Sequence, residues 1–189
     1  WRAKNAQERH WGRVLILTYN LTLIRYIEQK IKNIWWNLEY IIITNYHQFL
    51  WITWKIRDIK KDYNNIDLFK NNSDKYDTVL IDEIQDYKRT WMDIIKNCFL
   101  AENGEYILFG DVKQNIYDNK IENKDIITNV VGKPTELKAC FRSGYKIKDL
   151  ALSYQKNIFI DKYDTDEINM QESFDFDKHG SVKYIYLSD

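Results

Sequence analysis

Tyr76-Asp77-Thr78-Val79-Leu80-Ile81 runs without a break into Asp82-Glu83-Ile84-Gln85-Asp86. An apolar run of this length with β-branched residues predicts a buried strand. Its last residue hands the chain to two adjacent carboxylates. A strand that delivers paired acids to its C-terminal tip suits nucleotide hydrolysis. One carboxylate can hold Mg²⁺, largely through water, because Mg²⁺ keeps much of its hydration shell. The other can orient and deprotonate an attacking water. A solvated acidic turn after a strand is the plainer alternative.

Similar runs lie on either side. Arg13-Val14-Leu15-Ile16-Leu17-Thr18 and Tyr40-Ile41-Ile42-Ile43-Thr44 predict two earlier strands, and Glu105-Tyr106-Ile107-Leu108-Phe109 a later one. Between them, Leu21, Ile24, Tyr26, Ile27 and Ile31 recur at helical spacing, Tyr46 to Ile56 reads as a second helix, and residues 90–101 as a third. Residues 57–75 are polar and rich in Asn, Lys and Asp, and predict a loop or small insertion. Strands that alternate with helices, and that are apolar on both faces, predict an α/β fold with a parallel sheet flanked by helices. Sites in such folds lie at the carboxyl ends of the strands. Three of these ends carry polar sets: Thr18-Tyr19-Asn20, Asp82-Glu83 and Gly110-Asp111.

Beyond residue 122 the texture changes. A short strand pair is expected near Asp125–Asn129 and Thr135–Lys138. A helix is expected after Arg142 with Ile147, Leu150, Ala151 and Tyr154 on one face, and a strand over residues 181–186.

The chain has 189 residues, 44% hydrophobic and 30% charged, which predicts a soluble globular protein. No apolar stretch is long enough to span a membrane, and residues 1–5 do not begin a signal peptide. Cys98 and Cys140 stand alone, without metal-ligand spacing, and fit free thiols in a reducing, cytoplasmic setting. Twenty-eight basic residues balance 28 acidic ones. That balance is unlike a free-standing nucleic-acid binder, although a local groove can be positive in a neutral protein. All seven tryptophans lie within residues 1–91. Trp35-Trp36, Trp51 and Trp54 fit either a stacking platform for bases or ordinary packing at helix and strand ends.

Asp82-Glu83-Ile84-Gln85-Asp86 resembles the Walker B box of UvrD/Rep-like superfamily 1 DNA helicases. Twenty-eight positions after Asp82, Gly110-Asp111-Val112-Lys113-Gln114-Asn115-Ile116-Tyr117 resembles their motif III. Leu137-Lys138-Ala139-Cys140-Phe141-Arg142-Ser143 resembles motif IV, Leu17-Thr18-Tyr19-Asn20 motif Ia, and Thr44-Asn45-Tyr46-His47-Gln48-Phe49-Leu50 motif Ib. The five boxes follow the family's order. The resemblance implies a RecA-like P-loop NTPase motor domain over residues 1–140, incomplete at its N-terminus, with 57–75 as a reduced insertion. Residues 141–189 would be the hinge and the start of a second motor domain.

It further implies ATP and Mg²⁺ as cofactors and single-stranded DNA or DNA junctions as partners, with no membrane. Asp82 would hold the Mg²⁺ through water and Glu83 would be the catalytic base. Gln114 would contact the γ-phosphate or the attacking water, and Arg142 would reach the γ-phosphate from across the cleft. Thr18, Asn20 and His47 would touch the DNA strand, and Tyr117 would stack on a base. His47 packing its own helix and Tyr117 lying in the core are the alternatives. Where the family continues motif III with Trp-Arg-Gly, this chain has Asp118-Asn119-Lys120, which weakens the DNA contact there.

The family's phosphate loop, Gly-x-x-x-x-Gly-Lys-Ser/Thr, does not occur in the 189 residues, and neither do the boxes beyond motif IV. Gly132-Lys133-Pro134 lacks the glycine spacing, and its proline removes a donor. The expectation is therefore an internal fragment of an ATP-dependent DNA helicase, inactive by itself. A non-catalytic degenerate domain that binds DNA or protein is the alternative. A metal-dependent nuclease using Asp82, Glu83 and Asp86 lacks a nearby catalytic lysine.

Overall fold

In the computed structural model, the described residues are 12–34, 39–54, 64–71, 74–111 and 145–158, with Asn5 and Thr135 as single positions. The chain divides into two compact units, Trp1–Pro134 and Thr135–Asp189.

The first unit is built on a four-stranded parallel sheet. Its strands are β1 (Val14–Leu17), β2 (Ile41–Thr44), β3 (Tyr76–Ile81) and β4 (Leu100–Leu108), in the spatial order β2-β1-β3-β4. Leu15 pairs with Ile42 on one side and Val79 on the other, and Val79 pairs in turn with Tyr106. Each parallel step needs a crossover, and helices supply them: α1 (Leu21–Ile34), α2 (Tyr46–Trp54) and α3 (Arg89–Ile94), the last continued by a π turn over Ile95–Phe99. The step from β1 to β2 runs one way along the sheet, and the later steps run the other way. Right-handed crossovers then require α1 on one face and α2 with α3 on the other.

The core is sorted in that manner. Ile27 and Ile31 of α1 pack with Val14, Ile16, Ile41 and Leu80. Tyr46, Phe49 and Leu50 of α2 and Trp91, Met92 and Ile94 of α3 pack with Leu15, Leu17, Val79 and Ile81. Alternate residues of one strand therefore serve opposite faces, as the pleat demands. The α/β class with a parallel sheet flanked by helices is present as expected.

Two expectations need revision. Part of the polar stretch 57–75 is a 3₁₀ turn, Ile66–Phe69, started by Asn65, whose side chain accepts the Asp67 N–H at 3.1 Å. Phe69 is fully buried against Phe99, so this insertion plugs the core. β4 begins at Leu100 rather than Glu105, because Leu100 pairs with Tyr76 across a register irregularity. In the second unit, the helix expected after Arg142 is α4, Tyr145–Ile158. Ile147, Leu150 and Tyr154 on it are exposed. The strand pair expected near 125–138 and the strand expected over 181–186 lie outside the described residues, Thr135 apart. No described helix is long and apolar enough to cross a membrane.

Candidate functional site

The strand order reverses between β1 and β3, so the C-terminal ends of these two strands open a crevice. Asp82 stands at its edge, still held in the ladder by its N–H to Leu17 O at 2.9 Å. Asp82 Oδ1 accepts the Glu83 N–H at 3.1 Å. Glu83 then adopts φ 56° and ψ 49°, the only positive-φ non-glycine position among the described residues. That left-handed residue turns the chain out of the strand and into a 3₁₀ turn, Ile84–Asp86. β4 fastens the turn from the side: Phe109 N–H donates to Ile81 O at 2.8 Å and Ile84 N–H to Phe109 O at 3.1 Å.

Gln85 is buried, and its amide nitrogen donates to Glu83 Oε2 at 2.6 Å. Its amide oxygen accepts the Asp111 N–H at 3.1 Å. Burial, and next the neighbouring Glu83 carboxylate, push the proton affinities of Asp82 and Asp86 above the ordinary carboxylate range. Asp86 Oδ1 is buried without a hydrogen-bond partner among the described residues. Asp82 and Asp86 thus stand where ionisation is opposed, and a divalent cation would relieve that opposition. Among the described residues no group of three or more potential metal ligands is assembled. The donor set is the sparse one that suits Mg²⁺, which takes one or two carboxylates and completes its shell with water.

Beside the acids lies an open cleft of about 850 Å³, lined by Tyr19, Asn45, His47, Trp51, Tyr87 and Trp91 among others. Its floor is aromatic. Trp91 stacks on Tyr46 with centroids 4.8 Å apart, His47 meets Trp91 edge-on at 4.7 Å, and Tyr87 meets Tyr19 at 6.0 Å. Trp51 stands at the rim, 62% exposed. Lys88 Nζ lies 5.3 Å from the Trp91 ring and brings positive charge to the cleft. Burial, and then Lys88, lower the proton affinity of His47 and favour the neutral imidazole at neutral pH.

The expected site residues fall out as follows. Asp82 and Glu83 are together at the strand tip. Thr18 is fully buried, because the β1–β2 ladder continues through its N–H to Thr44 O at 3.0 Å. Its Oγ1 has no hydrogen-bond partner among the described residues and faces the interior, so the first exposed side chain after β1 is Tyr19. Asn20 caps α1, accepting from Thr22 N–H at 2.9 Å and Thr22 Oγ1–H at 2.7 Å. His47 lines the cleft while packing on Trp91, so both of its readings meet in one side chain. Gln114, Tyr117 and Arg142 lie outside the described residues. Sequence reading passed over Gln85, Tyr19 and Tyr87. The signal for Tyr19 was the buried strand ahead of it, which keeps Thr18 inside and turns the next side chain out.

No curated protein and no solved structure matches the chain. Residues 7–133, more than half of its length, match the model of the UvrD/REP helicase N-terminal domain. The chain therefore belongs to the UvrD/REP helicases, a helicase-type enzyme family whose membership implies nucleotide use and nucleic-acid binding.

Proposed function

We propose that this chain supplies one wall of an ATP site and part of a single-stranded DNA track in an ATP-driven DNA translocase. The observation that carries the reading is the β3 tip: a left-handed Glu83 beside Asp82, with the ionisation of Asp82 opposed, in a chain matched by the helicase family. Asp82 would hold Mg²⁺ through water, and the bound ion would neutralise charge on the phosphate oxygens. Glu83 would accept the proton of the attacking water, held in place by Gln85. Gln114 and Arg142 are proposed as the further phosphate contacts. The aromatic cleft is proposed as the DNA side. Bases of any identity can stack on Tyr19 and Trp51, and Lys88 favours the phosphate backbone.

The 189 residues hold no Gly-Lys-Ser/Thr phosphate loop, so by themselves they are expected to hydrolyse ATP poorly or not at all. The test is DNA-stimulated ATP hydrolysis by the natural full-length gene product, with and without Glu83→Gln. Loss of about 10²- to 10⁴-fold is expected from removal of a general base. Hydrolysis that persists at the wild-type rate would remove Glu83 from the chemistry. A natural product that neither binds nor hydrolyses ATP would favour the non-catalytic binding module.

A further inference from the structure

We propose that Gln85 is a positioning residue whose side-chain amide ties the Glu83 carboxylate to the backbone at the end of β4, so that the set of Glu83 follows the backbone at Gly110-Asp111. The inference rests on the reading of Glu83 as the base, but the tether itself is a matter of contacts.

Gln85 is 3% exposed, and a buried primary amide must find partners at both ends. Its orientation is settled by chemistry. The Glu83 carboxylate can only accept and the Asp111 N–H can only donate, so Nε2 faces the first at 2.6 Å and Oε1 the second at 3.1 Å. A flipped amide would set oxygen against oxygen and N–H against N–H. The bond to the carboxylate is short and charge-assisted. Residue 110 confirms how tightly β4's end approaches. A Cβ there would collide with Ile84 Cγ1 and come within 3.0 Å of Gln85 Oε1, so the approach requires the glycine that is present. Glu83, in its left-handed turn, presents its carboxylate to Gln85 rather than to the strand it leaves. No direct hydrogen bond joins Glu83 to Asp111 among the described residues, so Gln85 is the mediator. A segment that moves at β4's end would move the base through this amide. Met, nearly the same shape, would fill the space but transmit nothing.

The test reads the Asp111 amide proton by hydrogen exchange in the 189-residue chain. Gln85→Met is expected to speed its exchange between about two- and tenfold, the worth of one net hydrogen bond. Glu83→Ala, which touches Asp111 only through Gln85, is expected to speed it as well. In the Gln85→Met background the Glu83→Ala change should add nothing. Glu83→Gln still offers an acceptor to Gln85 Nε2, so it should keep Asp111 protected. Should Gln85→Met not fold, the Glu83→Ala and Glu83→Gln pair tests the same link from its other end. Equal additive effects in both backgrounds, or an Asp111 amide indifferent to Glu83→Ala, would overturn the tether.

In the natural full-length protein Gln85→Met is expected to lower kcat about 10- to 100-fold, the usual cost of losing an orienting partner, with KM for ATP nearly unchanged. An unchanged kcat would overturn the positioning role. The two readings fail separately. Retained hydrolysis in Glu83→Gln sinks the base but leaves the Asp111 result standing, and additive exchange with a dead Glu83→Gln sinks only the tether.

Discussion

Glu83 is a non-glycine residue at φ 56° and ψ 49°, and that observation yields a stability difference of predictable sign. The left-handed conformation costs a residue with a Cβ about 1–2 kcal/mol, through its contact with the following carbonyl oxygen. Glycine does not bear that cost. Comparing Glu83→Ala with Glu83→Gly isolates it. Both variants lose the carboxylate and the 2.6 Å bond from Gln85, so the electrostatic and hydrogen-bond losses cancel between them. What remains is the backbone. Glycine's greater freedom in the unfolded chain subtracts up to about 1 kcal/mol from its advantage. The glycine variant is still expected to be the more stable, by roughly 0.5–1 kcal/mol. In an ordinary helical position the order would be reversed by about 1 kcal/mol. Urea unfolding of the two variants with equal m-values provides the measurement. Thermal midpoints should differ by roughly 1–4 °C for a chain of this size. An alanine variant equal to or more stable than the glycine variant would refute the claim that the strand tip holds strain at Glu83.

Three further outcomes follow from neighbouring contacts. Gly110→Ala forces a methyl group into Ile84 and Gln85, and should destabilise the fold by about 1–3 kcal/mol in urea unfolding; full stability would mean the two strand tips can part freely. Asp82→Asn should stabilise the fold near pH 7. A carboxylate whose proton affinity is raised on folding contributes most in acid, and its contribution falls as pH rises through the raised value. Asp82 is only half buried, so solvent screening keeps the gain small, and it vanishes in acid, where the carboxyl is protonated both folded and unfolded. A gain that persists undiminished in acid would contradict this origin. Trp51→Ala removes a side chain that is 62% exposed, so the fold should be unaffected while binding of an oligothymidine, followed by fluorescence anisotropy, weakens about 10- to 100-fold. Unaltered binding would take Trp51 out of the track.

The sheet was readable because its strands are apolar on both faces, so Val14–Leu17 and Val79–Ile81 stand out as unbroken runs. The acid pair was readable because it interrupts such a run at its tip. What escaped reading depends on partners far away in the chain. Leu100 and Ala101 read as the end of the helix over 90–101, yet Leu100 already pairs with Tyr76 and carries Ala101-Glu102-Asn103-Gly104 into β4. Phe69 sits in a polar stretch, and only the Phe99 ring marks it as core. Thr18 looks like a polar side chain open at the tip of its strand, but one more ladder bond keeps it buried. The Gln85 tether spans 26 residues to Asp111, and no local periodicity encodes a contact of that kind.

These long-range contacts converge on one short turn. Between Glu83 and Tyr87 the chain passes from the acid pair to the floor of the aromatic cleft. Glu83 and Gln85 face β4's end, while Tyr87 meets Tyr19 and Trp91 edge-on. A 3₁₀ turn closed by Asp86 N–H to Glu83 O and Tyr87 N–H to Ile84 O has little slack. Moving the Glu83 backbone without moving that of Tyr87 would strain one of those bonds. The strained Glu83 backbone and the buried Tyr87 hydroxyl, which has no hydrogen-bond partner among the described residues, are then features of the same device. Both are tolerated because the sheet and α3 hold the turn from two sides. The acid tip and the aromatic cleft are joined by stiff covalent chain, and the turn at residues 83–87 is where a change at one would first be felt at the other.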